Sequence, residues 1–397
     1  DGTTPQYTVF AQGNWIYGDL NLMTSLQYVN YVYKLKENMP SDGSISVELT
    51  EAERVAKGVN SEGPKGDKFY MRSTTGKYYE FSLIDAERSK SFIQPKFGLN
   101  YNLTKNWNVF GNYAHVQRFV DLSIYYNYGV LNPDAEDEKS DQYELGLGYV
   151  APWINAKVNV YHTLWKNKAS RIRDPSKAGM PGYDYQGYRS DLVGTSRHQG
   201  LEFAGKILLD EVLPFKGLEL NLSLTMMDNI WTEVLDKAKF DEKGARRVYN
   251  ANALNAQGLI DTLFFDELKD KHVASGPQTM FMAGLTYNLD DFYVTLSMNY
   301  FAKDYLLEGD AYMAVDGELY KDATGKEFFK STYDNQLPTR ALFDLGAGYR
   351  FKFAGLTGNA SLQVLNIFDK EYFGSSDTYG VIPGMLRTFR FNLNVGF

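Results

Sequence analysis

"LRTFRFNLNVGF", residues 386–397, alternates without a break. Phe389, Phe391, Leu393, Val395 and Phe397 share one parity; Thr388, Arg390, Asn392, Asn394 and Gly396 share the other. A period of two belongs to a strand with one apolar and one polar face. Termini usually fray, so an apolar, aromatic ending implies that these residues have a structural task.

The pattern spreads upstream. "GLELNLSLTMM" sets Leu218, Leu220, Leu222, Leu224 and Met226 against Glu219, Asn221, Ser223 and Thr225. "DFYVTLSMNYF" and "RALFDLGAGYRF" repeat it with Leu296 and Leu345 on the apolar side and Ser297 and Asp344 on the polar one. Counting all such runs predicts about thirteen strands, each of roughly ten residues or more, the length of a tilted bilayer crossing. Connections alternate in length. Tight turns at 17–19, 104–106, 151–153 and 289–291 are separated by long polar excursions near 36–77, 118–141, 169–196, 231–276, 305–337 and 369–385. Such sorting of short turns to one side and long loops to the other is the asymmetry of bacterial outer-membrane barrels. A soluble sandwich or propeller would use strands of about five or six residues. The polar parity, carrying Lys206, Glu219 and Asp344, suits a wet lumen.

Composition narrows the function. The 397 residues carry a net charge of −8 and no basic stripe, which argues against nucleic acid. Cysteine is absent, so disulfide and thiolate chemistry are excluded. Mean hydropathy is −0.39 and no apolar run is long enough for a helical span, whereas barrel strands escape both measures. The four histidines, His115, His162, His198 and His272, form no metal-ligand spacing. His162 shares its face with Val158 and Val160, a girdle position. No catalytic residue and no cofactor are assigned.

Several segments carry a resemblance. "LQVLNIFDKEYF" (362–373), with Asn366, Ile367, Phe368, Asp369, Lys370 and Tyr372, resembles the penultimate strand of TonB-dependent outer-membrane transporters. "PGMLRTFRFNLNVGF" (383–397) resembles their final strand, and "NPDAEDEKSDQYELGLGY" (132–149) and "GTSRHQGLEFAGK" (194–206) resemble two internal segments. The glutamate segment departs from the family in lacking a proline before its glutamate. The resemblance implies an all-β, antiparallel transmembrane β-barrel, with residues 1–397 the C-terminal part of a 22-stranded one. The plug domain and first strands lie outside these residues. It further implies uptake of a scarce ligand (iron–siderophore, vitamin, or oligosaccharide or peptide) in the outer membrane of a Gram-negative bacterium. Energy would come from the TonB–ExbB–ExbD system through the plug. Outer-membrane lipid, the barrel-assembly machinery and a small extracellular ligand are implied partners, and a surface lipoprotein is a further candidate. Phe389, Phe391, Leu393, Val395 and Phe397 resemble the signal that the assembly machinery reads.

Candidate ligand-binding residues follow from side-chain chemistry in the long excursions. Tyr125, Tyr126 and Tyr128 in "RFVDLSIYYNYGVL" offer stacking and hydrogen bonding, with haem ligation an alternative. "PGYDYQGYRS" interleaves Tyr183, Tyr185 and Tyr188 with Arg189. Aromatic and arginine side chains on a loop serve capture or pack on their neighbours. Arg118 and Trp231, where strands hand over to loops, carry the same two readings. "PDAEDEKSD" (133–141) fits no calcium spacing and reads as a solvated loop. The rival readings are a passive porin-like or adhesin-like barrel and, third, a barrel enzyme. The final strand heads for the short-turn side, so an odd strand count puts Asp1 on the other side. Even-numbered closure then predicts a larger natural polypeptide.

Overall fold

The computed structural model describes residues 2–40, 44–173, 180–183, 188–211, 213–214, 216–234, 249–254, 260–262, 270–273, 276–305, 319–321, 327–329, 336–353, 355–377 and 380–396. Fifteen strand segments form one antiparallel sheet. Gly2–Thr3 continues into Gln6–Tyr17 and Gln336–Leu337 into Arg340–Phe353, leaving the expected thirteen crossing strands. Both interruptions fall at a proline, Pro5 and Pro338, which has no N–H to give the ladder.

The strands are β1 (Gly2–Thr3 and Gln6–Tyr17), β2 (Leu20–Lys36), β3 (Asp85–Asn102), β4 (Trp107–Arg118), β5 (Glu138–Ala151), β6 (Ile154–Arg173) and β7 (Tyr188–Leu208). They continue as β8 (Leu218–Val234), β9 (Pro277–Leu289), β10 (Phe292–Tyr305), β11 (Arg340–Phe353), β12 (Leu356–Leu365) and β13 (Thr388–Gly396). Each pairs with its sequence neighbours, and β1 and β13 are the outermost members of the order. Among the described residues no helix is long and apolar enough to cross a membrane, which does not bear on strands.

Register turns the alternation into two continuous surfaces. Trp15, Leu22, Leu99, Gly111, Leu145, Val160 and Leu201 lie opposite one another from β1 to β7. Leu220, Leu285, Leu296, Leu345, Val364 and Phe389 do the same from β8 to β13. Most of these apolar side chains are open to their surroundings; Leu145 is 59% exposed and Phe389 68%. A row of exposed leucines is stable only where the surroundings are themselves apolar. The opposite face pairs polar groups: Lys206 with Glu219 at 2.8 Å, and Asn299 donating to Asp344 at 3.3 Å.

Short turns close one end. At residues 18–19, Gly18 takes φ 60°, the left-handed conformation that a two-residue reversal requires. The β7–β8 connection, missing from the sequence-derived turns, is a longer one with a 3-10 segment at Leu209–Glu211. At the other end β6 and β7 run for 20 and 21 residues, far beyond the roughly ten a bilayer needs. Their excursion is therefore shorter than the alternation implies, and the 36–77 excursion reaches Ile84 instead, where β3 begins.

Candidate ligand-capture site at the long-loop end

The first long connection folds as a small unit. Thr50 caps helix α1 (Glu51–Ala56) through a reciprocal capping box with Glu53. Four short strands, 46–48, 63–65, 68–72 and 78–82, form a sheet over Leu49, Val59 and Tyr70. At its base the Glu37 N–H donates to the Ile84 carbonyl at 2.8 Å. The Glu37 carboxylate accepts the Ile84 N–H at 2.9 Å, and the Tyr126 hydroxyl of the next loop as well.

That next loop, 119–137, folds back over the sheet. Asp121 caps the single turn α2 (Leu122–Tyr125), and a hairpin pairs Tyr126–Asn127 with Val130–Leu131. Phe119, Val120, Ile124 and Tyr125 bury themselves among Phe92 of β3 and Leu192 of β7, with Tyr31, Tyr33 and Ala169 packed around. Phe119 stacks on Tyr33 at 4.5 Å, and the Arg88 guanidinium lies 5.3 Å from the Phe119 ring and 5.2 Å from Tyr125. Residues of β2 and β7, five places apart in the sheet, can share one cluster only on the concave side of a curved sheet. This loop therefore plugs the inner face from above.

Acids hold the loop in place. Asp137 is 2% exposed; it accepts the Val120 N–H at 3.1 Å and pairs with Lys90. Glu138 is 4% exposed and accepts the Trp165 indole N–H at 3.3 Å. The run 133–141 is thus not a solvated loop: two of its carboxylates are buried and partnered, which composition could not reveal. A β-bulge at Asn167, φ 55°, breaks the β6–β7 register, and Asn167 donates to Glu136 and to the Asp137 carbonyl, each at 3.0 Å.

Against this frame the candidate residues separate. Tyr126 and Tyr128 sit on the hairpin, half-buried, with Tyr128 in the left-handed region at φ 40°. Asn127, between them, donates to the Ser190 carbonyl at 3.1 Å and accepts the Ser190 N–H at 3.3 Å, binding the hairpin to β7 beside Arg189. Arg189 lies 4.9 Å from the Tyr183 ring and pairs with Asp191. The fold thus brings Tyr126, Tyr128, Tyr183 and Arg189 to one rim. Arg118 stands at the end of β4, pairing with Asp121 at 3.0 Å and approaching Glu138 at 4.0 Å. Three candidates are packing residues here. Tyr125 is 5% exposed, Tyr183 is 6% exposed beside the Arg189 guanidinium, and Trp231 is 0% exposed beneath the Lys168 ammonium at 5.0 Å. Tyr185 and Phe397 lie outside the described residues, as does the Tyr188 side chain, though Tyr188 opens β7.

Sequence reasoning missed Glu37 and Asn127, whose polar side chains join two loops to each other and to the start of β7. An acid directly after a long strand and an Asn flanked by tyrosines were the only local signals. The family-type segment at 366–372 is a structural knot. Asn366, 4% exposed at φ 50°, accepts from the Lys370 N–H and donates to the Lys370 and Met385 carbonyls, while Asp369 accepts the Arg387 N–H. Among the described residues no cluster of His, Asp or Glu could hold a metal ion.

Comparison with known proteins agrees with this architecture. No curated protein matches the chain. Solved structures resemble it at low identity. The ferric-catecholate import receptor Fiu from E. coli K12, in its closed form, is 17% identical with a TM-score of 0.57 over 99% of this chain and 44% of its own. The copper transporter OprC gives 15% and 0.61 over 100% and 48%. The Serratia marcescens hemophore receptor HasR, in complex with its hemophore HasA and heme, gives 16% and 0.59 over 99% and 51%. The chain spans about half the length of these structures. A family described as TonB dependent receptor-like, beta-barrel, matches residues 1–367, more than nine-tenths of the sequence. The chain belongs to the TonB-dependent receptor β-barrel family.

Proposed function

We propose that this chain is the C-terminal barrel portion of an outer-membrane receptor that takes up a scarce ligand with energy supplied through TonB. The observation that carries the reading is the built mouth at the long-loop end. Two excursions and the first residues of β7 are tied together by Glu37, Tyr126, Asn127 and Ser190 over the concave face of a membrane-type sheet. A loop buried down to Phe119 at 1% exposure narrows the concave face, which suits a receptor better than a wide unselective pore. A receptor needs such a surface, since pre-ordered loops bind with less entropy loss.

In this reading the long-loop end faces outward and Tyr126, Tyr128 and Arg189 present the capture surface, with the buried Tyr183 packed beneath Arg189. Tyrosine and arginine supply stacking and directed hydrogen bonds to an oxygen-rich or aromatic ligand. A plug and further strands precede these residues in the natural polypeptide, and the alternating β13 is the segment read by the assembly machinery. The family is one of transporters, so an enzyme reading has no support here.

Whole cells expressing the full-length protein, with and without a functional TonB, would be offered radiolabelled ferric siderophores, haem, cobalamin and oligosaccharides. We expect one class to accumulate only with TonB. Flux of small solutes that is unselective and independent of TonB would establish the porin-like alternative.

A further inference from the structure

The apolar face carries one feature that ligand capture does not use. An open groove of about 730 Å³ crosses β1 to β6 on that face, walled by Phe97, Leu99, Tyr113, Tyr143, Leu145 and His162. Gly111 lies in the row between Leu99 and Leu145, so that row lacks a side chain within the groove. A Cβ added there would meet only the Glu144 carbonyl at 3.6 Å and Leu145 at 3.9 Å, ordinary contacts.

Directly above the groove the face turns polar. Tyr113, part of its wall, donates to Asp141 at 3.1 Å; His115 bonds the same carboxylate oxygen at 2.7 Å, and Gln117 bonds His115 at 2.9 Å. The next row is Gln117, Lys139, Lys166. Lys139 and Lys166 are direct cross-strand partners and both are exposed. Like charges directly opposite destabilise a sheet. Asp141, one row below, is already engaged by His115 and Tyr113. An anion shared by the two ammonium groups would offset their repulsion.

Height fits a headgroup. Gln117 is ten residues along β4 from Trp107 at the turn end. At about 3.3 Å per residue and a tilt near 40°, that is roughly 25 Å, the margin of an apolar band about 25 Å tall. We propose that this face holds one anionic membrane lipid, its phosphate between Lys139 and Lys166 and an acyl chain along the groove at Gly111. The proposal rests on the outer-membrane reading above.

The full-length protein would be placed in nanodiscs of phosphatidylcholine mixed equally with phosphatidylglycerol, and the lipids it retains on release read by native mass spectrometry. We expect phosphatidylglycerol to be enriched on the order of tenfold. Lys139→Ala with Lys166→Ala should abolish the enrichment and leave heat-modifiable gel migration unchanged. Gly111→Leu, which fills the groove, should lower retention of both lipids. Enrichment that survives the double lysine variant would overturn the headgroup site. A second copy of the chain retained in place of lipid, and lost with Gly111→Leu, would overturn the lipid assignment. Failure of the wild type to insert at all would instead count against the membrane reading, which gel migration reports separately.

Discussion

The two ends of this sheet are built from the same strands and obey different rules. At the turn end, β1–β2 and β9–β10 reverse within two residues, using Gly18 and Asp290 at φ 60° and 50°. At the loop end, buried acids, a bulge and an aromatic cluster join residues up to 89 positions apart, as Tyr126 and Glu37 are. Strand alternation sets the first, and side chains meeting across the concave face set the second. Stability at the two ends should therefore fail separately.

Phe119→Ala is the strongest way to break the loop end. It removes a ring that is 1% exposed and stacked on Tyr33, and should cost about 3–5 kcal/mol of local stability. Hydrogen exchange should show residues 119–137 opening while the β9–β12 ladder stays protected. Loss of protection throughout would mean the two ends unfold as one.

The transmembrane faces come next. Leu296→Arg places a charge in the apolar row, four residues from the turn end of its strand, and should cost about 2–4 kcal/mol in lipid. Ser297→Arg, one residue on and facing Asp344, should be nearly silent. Refolding into lipid vesicles with a denaturant titration measures both. Equal tolerance would reverse the assignment of faces.

Asp137→Ala tests the buried acid alone. Lys90 is half exposed and can return to water, so the main cost is the unsatisfied Val120 N–H, about 1–3 kcal/mol. The readout is the same exchange experiment, with the effect confined to the Val120 end of the loop.

Acid should produce the smallest effect. Glu80, in the four-stranded unit outside the bilayer, is held below its ordinary value by its hydrogen bond from Lys57. A carboxylate lowered on folding stabilises above its unfolded value and loses that contribution as pH falls through the folded one. Protection of residues 68–82 should hold at neutral pH and weaken below pH ~4.5. Glu80→Gln should flatten the profile.

This contrast also explains what the sequence made legible. Alternation is local, so the count of strands, the apolar rows through Leu296 and Val364, and most tight turns were readable from parity alone. Neighbouring Tyr125 and Tyr126 were not separable. One closes α2 and is buried, whereas the other starts the hairpin and reaches Glu37, and the difference lies in how 119–137 folds back. Trp231 looked like a rim residue because it stands near a loop. It is buried, with Lys168 over its ring and its backbone paired with Asp270 and Lys271, neither of which its position beside a loop revealed. The charge run at 133–141 misled for the same reason: Val120 meets it from the far end of the same loop, and Lys90 and Trp165 from other strands.

Glu37 and Ile84 form a hydrogen-bonded pair in line with the β2–β3 ladder. The barrel therefore meets the residues between them as it would meet a tight hairpin. The four-stranded unit behaves as a cassette with a closed entrance, carrying its own core at Leu49, Val59 and Tyr70. Descent with modification can lengthen, replace or delete such a cassette without re-registering a single transmembrane strand, and so can a protein engineer. What a relative of this chain recognises at its surface is free to change there while the wall beneath it stays the same.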